Sequence, residues 1–419
     1  MDIKRLNQRI DERKDELFQQ LCDLIKINSE NFGTYGNETD CARYIHELCQ
    51  KLGLESDFYS PMELDGFAQH PDYFPGRGVE DRYNTVATWK GKQDVNELML
   101  MGHTDTVVIG DPANWSVDPL GGIIKDGKIF GRGACDDKYA LATVLFLIKL
   151  LKDEGFEPSK NLVFAAFCDE ELGGSHGAMA AVMKYPCNRI ICMDGRENQI
   201  WNVASGGQVV NYNFHVTHAV DSAAKTAEAL PIVMEELKKF GARRCAELEA
   251  NRFYTGTHIP GTSLRFMEVR AGDNGADMGV GKVQVTFYTE KSREEIWAEL
   301  AEVDKAICEK LAPMDIQGDG FTPFTRFFHY GFCEPDSPYI TELQDASQQA
   351  IGKQPMVCGS CLSDLSIVFK HGNANAYAFG AGRDFSKTGG AHQPDEFIVC
   401  DDYVDYTKAI GAYILKVLG

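Results

Sequence analysis

No apolar run in the 419-residue chain approaches the roughly 20 residues needed to span a bilayer. The densest, residues 140–151 ("ALATVLFLIKLL"), is short and interrupted by Lys149, so it reads as a buried helix. Basic residues are outnumbered, 42 Lys and Arg against 62 Asp and Glu, and the net charge of −20 weighs against nucleic acid or an anionic membrane as partner. The opening stretch, "MDIKRLNQRIDERKDELFQQLCDLIK", is charged throughout and lacks the apolar core of a secretory signal. Its Leu6, Ile10, Leu17, Leu21 and Leu24 suit one face of an amphipathic helix. No internal repeat or low-complexity tract is present. The 13 cysteines are odd in number and scattered, which reads as reduced thiols in a cytoplasmic protein.

Length favours two domains. Over about 83–194, strand-like runs ("YNTVATWKG", "ELMLMGHTD", "NLVFAAFCDEE", "RIICMDG") alternate with helical segments at 138–152 and "GSHGAMAAVM". That alternation predicts an α/β domain around a largely parallel or mixed central sheet. After Trp201 the strands "QVVNYNFHVTH" and "KVQVTFYTE" accompany helical stretches at 223–240 and 292–311, as in a smaller α+β module with helices on one face of a sheet. The α/β character returns with a helix near 337–351, "MVCGSC", a helix from Ser363, the strand "AYAFG" and a C-terminal helix. A middle segment unlike both flanks predicts an insertion.

Chemistry gathers where apolar strands stop. "LMLMGHTDTV" runs into His103 and Asp105, which strand alternation would point the same way. "GRGACDDK" sets Asp136 and Asp137 before a long apolar helix, where an acid also suits the helix dipole. "NLVFAAFCDEELGGSHG" ends a strand in three consecutive carboxylates, and packing like charges together is costly unless a cation offsets them. "RIICMDG" closes on Asp194, and "GRDFSKTGGAHQPDEF" places His392 in a glycine-rich loop. Sites in open α/β sheets form outside the carboxyl ends of strands. Imidazoles and carboxylates without thiolates suit Zn, Mn or Co, and several carboxylates with two imidazoles suit a pair of divalent ions bridged by one carboxylate.

In this order, "GHTDTV", "WSVDPLGGIIKDGKIFGRGACDDK", "CDEELGGSHG", "CMDG" and "GGAHQPDEF" resemble the M20 family of metallopeptidases and amidohydrolases, which includes carboxypeptidases, dipeptidases, aminoacylases and ArgE/DapE-type deacylases. "HPDYFPGRGVEDRYNTVATWKG" is further reminiscent of the ArgE/DapE branch. The resemblance implies a zinc-peptidase-like α/β catalytic domain with a mixed central sheet, residues 1–201 and 325–419, and an inserted α+β lid or dimerisation domain, residues 202–324. It implies that His103, Asp136, Glu171, Asp194 and His392 bind two divalent metals, zinc foremost, with Asp136 bridging. Glu170 becomes the general base, and Asp105 the carboxylate that holds His103 from behind. The implied reaction is hydrolysis of an amide in an N-acyl amino acid or small peptide by a metal-activated water. A homodimer formed through the inserted domain is also implied.

Elsewhere the match is looser. Family members carry a His after the first lid strand that helps bind the oxyanion. Here "NFHVTHAVDSAAKT" offers His215 and His218, of which His218 sits at the strand's end. Where many members read Asp-x-Arg, this chain has Phe287, Tyr288 and Thr289. Arg265, Arg270, Arg326 and Arg383 are substitutes for anchoring a substrate carboxylate, Arg383 foremost. Asp194 stands where DapE-type desuccinylases usually carry Glu, which counts against that activity. Cys358 and Cys361 form a C-x-x-C read as chance spacing rather than redox chemistry. His176 is expected to face away behind the metal-binding loop. The rival readings are a dipeptidase or carboxypeptidase of the same family, and a catalytically silent metal-binding scaffold.

Overall fold

A computed structural model, which describes residues 1–218, 220–273, 277–359 and 362–419, resolves the alternating strands and helices into two units. The larger comprises Met1–Val203, Phe332–Cys358 and Ile367–Gly419; the smaller comprises Ala204–Gly331 and Gly359–Ser366. The smaller unit therefore runs past residue 324 and takes in Gly359–Ser366, which the expected division left with the larger one. Local packing explains the difference. The Ser366 hydroxyl donates to the His329 carbonyl at 2.7 Å, and a Cβ on Gly359 would meet the Tyr254 ring at 2.8 Å. Cys361 lies outside the described residues, so the C-x-x-C pair is not described as a pair.

The larger unit is built on a mixed sheet. Its strands run, in spatial order, Glu55–Tyr59, Asn84–Trp89, Lys160–Phe167, Gln93–His103, Arg189–Cys192, Ala376–Gly380, Gln199–Ala204 and Gly331–Phe332, with Val357–Gly359 pairing Gln199–Ala204 off this path. The four at its centre, Lys160–Phe167, Gln93–His103, Arg189–Cys192 and Ala376–Gly380, are mutually parallel. A strand covered on both faces needs an unbroken apolar run, which "LMLM" supplies. Leu98 and Leu100 join the core that includes helices Ile3–Ile25, Lys138–Asp153 and Cys400–Leu418, while Met99 and Met101, equally buried, alternate to the other face. Register brings the chemistry together. His103 pairs with Phe167, Met101 with Cys192 and Ala378 with Cys192, so the carboxyl ends of all four parallel strands lie at one edge.

In the smaller unit an antiparallel sheet runs Leu264–Gly272, Val280–Thr289, Gly206–Val216, Ile316–Pro323. Val210, Tyr212, Phe214, Val283, Val285 and Phe287 alternate inward against helices Ser222–Ala250 and Arg293–Leu311. Ser292 and Glu295 form a capping box that starts the second helix. The outer strands Leu264–Gly272 and Ile316–Pro323 escape sequence reasoning because irregular register at Phe266/Glu268 and Gly318/Gly320 breaks their alternation. Among the described residues no helix is long and apolar enough to cross a membrane.

Candidate functional site

His103 is the last residue of its strand and is fully buried. Its Nδ1 lies 2.8 Å from the backbone carbonyl of Asp105; a carbonyl only accepts, so Nδ1 carries a proton and Nε2 is the nitrogen turned toward the acids. Nε2 is 3.0 Å from Asp136 Oδ1. The other Asp136 oxygen lies 3.2 Å from His392 Nε2, and the same His392 nitrogen is 3.0 Å from Glu171 Oε2. Asp136 thus turns each of its oxygens to a different imidazole. Ligand atoms of His103, Asp136 and Glu171 all lie within 4.8 Å of one another.

The surroundings demand positive charge. Burial works against charging His103, yet Asp136 beside it, with Glu170 and Asp105, holds its pKa well above the ordinary value. Burial likewise opposes charge on His392, but Glu171 and Asp136 raise it to about 11. Asp136 stays below the usual carboxylate range despite burial because both imidazoles lie against it. Burial and the charge of Asp136 lift Asp194 to about 6. A nitrogen and oxygen donor set with more carboxylates than imidazoles fits one or two divalent cations of the zinc, manganese or cobalt type.

Asp105 departs from the role expected of it. The strand ends at His103, so alternation does not govern the next two residues. The Asp105 carboxylate stands 3.7 Å from His103 Nδ1, too far for a hydrogen bond. It instead accepts from the backbone N–H of Glu170 at 3.1 Å, the N–H of Glu171 at 2.9 Å and Asn31 Nδ2 at 2.7 Å. The backbone of Asp105 orients the imidazole, and its side chain holds the loop that carries Glu170 and Glu171. Glu170 itself is half-buried.

Asp137 takes no part in capping. It sits at the helix N-terminus with no side-chain cap bond, buried, and burial keeps its pKa well above the usual range. Gly102 makes room for it: a Cβ there would stand 2.6 Å from Asp137 Oδ2. His392 adopts φ +63° in a loop tied to the Asp136 loop by buried Glu396, which accepts from Arg132 at 2.6 Å and from the Cys135 N–H at 2.9 Å.

The Arg383 backbone accepts from the Ala391 N–H at 3.3 Å, next to His392, while its side chain turns to its own loop. Its Nε donates to the Thr388 carbonyl at 3.0 Å, and its guanidinium lies 4.7 Å from the Phe397 ring centroid. It lines a cavity of about 470 Å³ to which no cluster residue contributes. His218 is exposed and belongs to the smaller unit, as does His215, whose Nδ1 is 2.8 Å from Asp319. Arg265 donates to Tyr288 Oη at 2.9 Å in the same unit. His176 is bonded to Asp169 rather than to the cluster, its Nδ1 2.6 Å from Asp169 Oδ2. Sequence reasoning also missed Asn31, Arg77 and Arg82. The three adjacent acids of "CDEE" were the available signal that cations had to lie nearby.

The family model described as peptidase family M20/M25/M40 matches residues 99–416. A succinyl-diaminopimelate desuccinylase of Parvibaculum lavamentivorans is 44% identical over 120 residues, 29% of this chain and 29% of the relative. The curated relatives are matched over only 21% to 38% of their own length. Among solved structures, the di-peptidase Dug1p of Saccharomyces cerevisiae aligns over 99% of this chain and 98% of its own with a TM-score of 0.75 and 16% identity. The YXEP protein of Bacillus subtilis, a dinuclear metal-binding peptidase of family M20, aligns over 96% and 97% with a TM-score of 0.57 and 14% identity. At such identities the likeness to solved structures speaks for the fold.

Proposed function

The chain belongs to peptidase family M20/M25/M40, and from that premise we propose that it is a metal-dependent hydrolase cleaving the amide bond of an N-acyl amino acid, in the manner of an ArgE-like deacylase. The observation that carries the reading is Asp136, whose two oxygens face His103 and His392 separately at 3.0 and 3.2 Å. That is the disposition of a carboxylate shared by two cations. His103, Glu171, Asp194 and His392 would complete the two sites, with zinc the first metal to test and cobalt or manganese the alternatives. Two bound divalent ions supply a lowered water pKa and a charge that stabilises a developing oxyanion.

The chain's own part lies in the arrangement of its groups. Glu170 is carried on the loop next to Glu171, and its charge is felt at His103. It takes the proton of the attacking water and returns it to the leaving amine. Asp105, Asn31 and the carbonyl contact to His103 hold base and ligands in fixed relation, so the reacting groups need little reorganisation. The desuccinylase among the relatives supports an acyl amino acid, and the di-peptidase of like fold keeps a small peptide as the second reading. The homodimer and a role for His218 belong to the same proposal.

The test is a panel of N-acetyl and N-succinyl amino acids and dipeptides, assayed with protein depleted by chelator and reloaded with zinc, cobalt or manganese. We expect turnover that requires metal and a higher kcat/KM on an acyl amino acid than on any dipeptide. Tight metal binding with no amide hydrolysed would mark a silent scaffold and refute the proposal.

A further inference from the structure

The three acids at the end of strand Lys160–Phe167 are divided among different partners. Glu171 joins the metal-type cluster, whereas Asp169 is surrounded by cations of the chain itself. Arg77 donates to Asp169 Oδ1 through Nε at 3.1 Å and Nη2 at 2.6 Å, and Arg82 Nη1 reaches the same oxygen at 2.5 Å. His176 Nδ1 meets Oδ2 at 2.6 Å; its Nε2 accepts the Phe74 N–H at 3.2 Å, so Nδ1 is the protonated nitrogen and the donor to Asp169. Asp169, Arg82 and His176 are 0% exposed, and Arg77 is 6%.

This knot reaches the catalytic loop by two further routes. Arg77 Nη2 also donates to the Glu171 carbonyl at 3.0 Å. Arg82 Nη2 donates to Asn31 Oδ1 at 3.2 Å, and Asn31 Nδ2 in turn bonds both the Asp105 carboxylate, at 2.7 Å, and the Glu171 carbonyl, at 3.0 Å. The loop needs such anchoring. Asp169, Leu172 and Ser175 adopt φ of +62°, +62° and +57°, conformations that non-glycine residues keep only when their surroundings over-determine them. Gly174 leaves the space Asp169 occupies, since a Cβ there would stand 2.1 Å from Asp169 Oδ2.

Stability alone is a poor account of the arrangement, because buried ion pairs are often replaced by apolar side chains without loss. What two guanidiniums converging on one carboxylate oxygen, Arg77 through two nitrogens and Arg82 through one, provide is direction. We propose that Asp169, Arg77, Arg82 and His176 are positioning residues that aim Glu170 and Glu171, with Arg77, which bonds both Asp169 and the Glu171 carbonyl, as their principal link. The inference rests on the proposed hydrolase reading for its kinetic arm and stands apart from it for its metal-binding arm. It also accounts for the "GRGVEDR" stretch, whose two arginines, distant from the acids in sequence, set the loop's geometry.

The experiment compares Arg77→Met with wild type for zinc affinity, by competition with a chromophoric chelator, and for kcat at saturating zinc on the fastest amide of the panel above. Zinc affinity should fall about 10- to 100-fold, as changes behind metal ligands tend to cause. The kcat should fall about 100-fold per zinc-loaded molecule while KM moves less than about threefold. Placed in a Glu170→Asp background, where the base is already misplaced, the same substitution should lower kcat by less than about threefold. A merely structural role predicts equal factors in the two backgrounds. Equal factors, or a folded Arg77→Met with wild-type zinc affinity and kcat, overturn the inference.

If Arg77→Met does not fold, Arg77→Lys decides, because it keeps the charge but offers a point instead of a fork. A loss of about tenfold in zinc affinity is expected, and wild-type affinity with wild-type kcat overturns the inference. Should wild type hydrolyse no amide, the hydrolase reading fails while the zinc measurement still judges the positioning role.

Discussion

Asp105→Ala should destabilise the metal-free protein by about 3–5 kcal/mol and leave the His103 Nδ1 proton in place. The carboxylate accepts three hydrogen bonds, from Asn31 Nδ2, Glu170 N and Glu171 N, at 2.7, 3.1 and 2.9 Å. Bonds to a charged group contribute about 1.5–3 kcal/mol each, so the gross loss is about 4.5–9 kcal/mol. Two effects reduce it. Asn31 Nδ2 keeps its bond to the Glu171 carbonyl at 3.0 Å, and water can enter the space the carboxylate leaves to reach the two N–H groups. Asp105→Asn keeps one acceptor oxygen but turns an amide NH2 toward a donor, and should cost about 1–3 kcal/mol. Urea unfolding of the zinc-free variants measures the loss. Imidazole nitrogen NMR reports the Nδ1 proton, which should persist because Nδ1 is bonded to the Asp105 carbonyl rather than its side chain. A loss below about 1 kcal/mol for Asp105→Ala, or loss of the His103 Nδ1 proton, would refute this account of how the site is held.

Glu170→Gln should lower kcat by at least about 10²- to 10⁴-fold with zinc still bound, as measured by turnover and metal content on one sample; a wild-type rate would remove Glu170 from the mechanism. Glu38, fully buried, has its pKa raised to about 8 by burial and by the charge of Asp105, partly offset by Arg82 at 3.2 Å. A folded pKa above the unfolded one means the folded state binds the extra proton. Its contribution to stability is complete below about pH 4.5 and is lost as pH rises through about 8, so Glu38→Gln should flatten the fall in urea-measured stability over that window. Arg383→Ala should change KM by less than about threefold, because its guanidinium is committed to Thr388 and Phe397; a larger rise in KM would return Arg383 to the substrate pocket.

Much of the fold was readable along the chain because it rests on local pattern. The unbroken apolar runs at 98–101 and 162–167 predict central strands, and the buried positions of helix Ile3–Ile25 include every leucine and isoleucine picked from its periodicity. The strands Leu264–Gly272 and Ile316–Pro323 were not readable, since each has a register irregularity and the first exposes Met267 and Val269 while Glu268 is half-buried. The boundary near Gly331 and the transfer of Gly359–Ser366 to the smaller unit depend on contacts to His329 and Tyr254, which no local pattern records.

The candidate site divides along the same line. His103, Asp136, Glu171 and His392 stand at the ends of apolar segments or in glycine-rich loops, so their types and placing could be read before any fold was known. Parallel register then brings His103, Phe167 and Cys192 to one edge, and the loops that follow deliver the donors. The partner of each donor was another matter. Asp105 and His103 are two residues apart, yet their division of labour turns on a carbonyl in place of a carboxylate and on Asn31, far away in sequence. Arg77 and Arg82 reach Asp169 across a similar separation. Local order along a chain dictates which residue types end a strand, because backbone periodicity is a short-range property. Which hydrogen bond each buried group makes is settled only once distant segments have excluded water and left a single set of donors within reach.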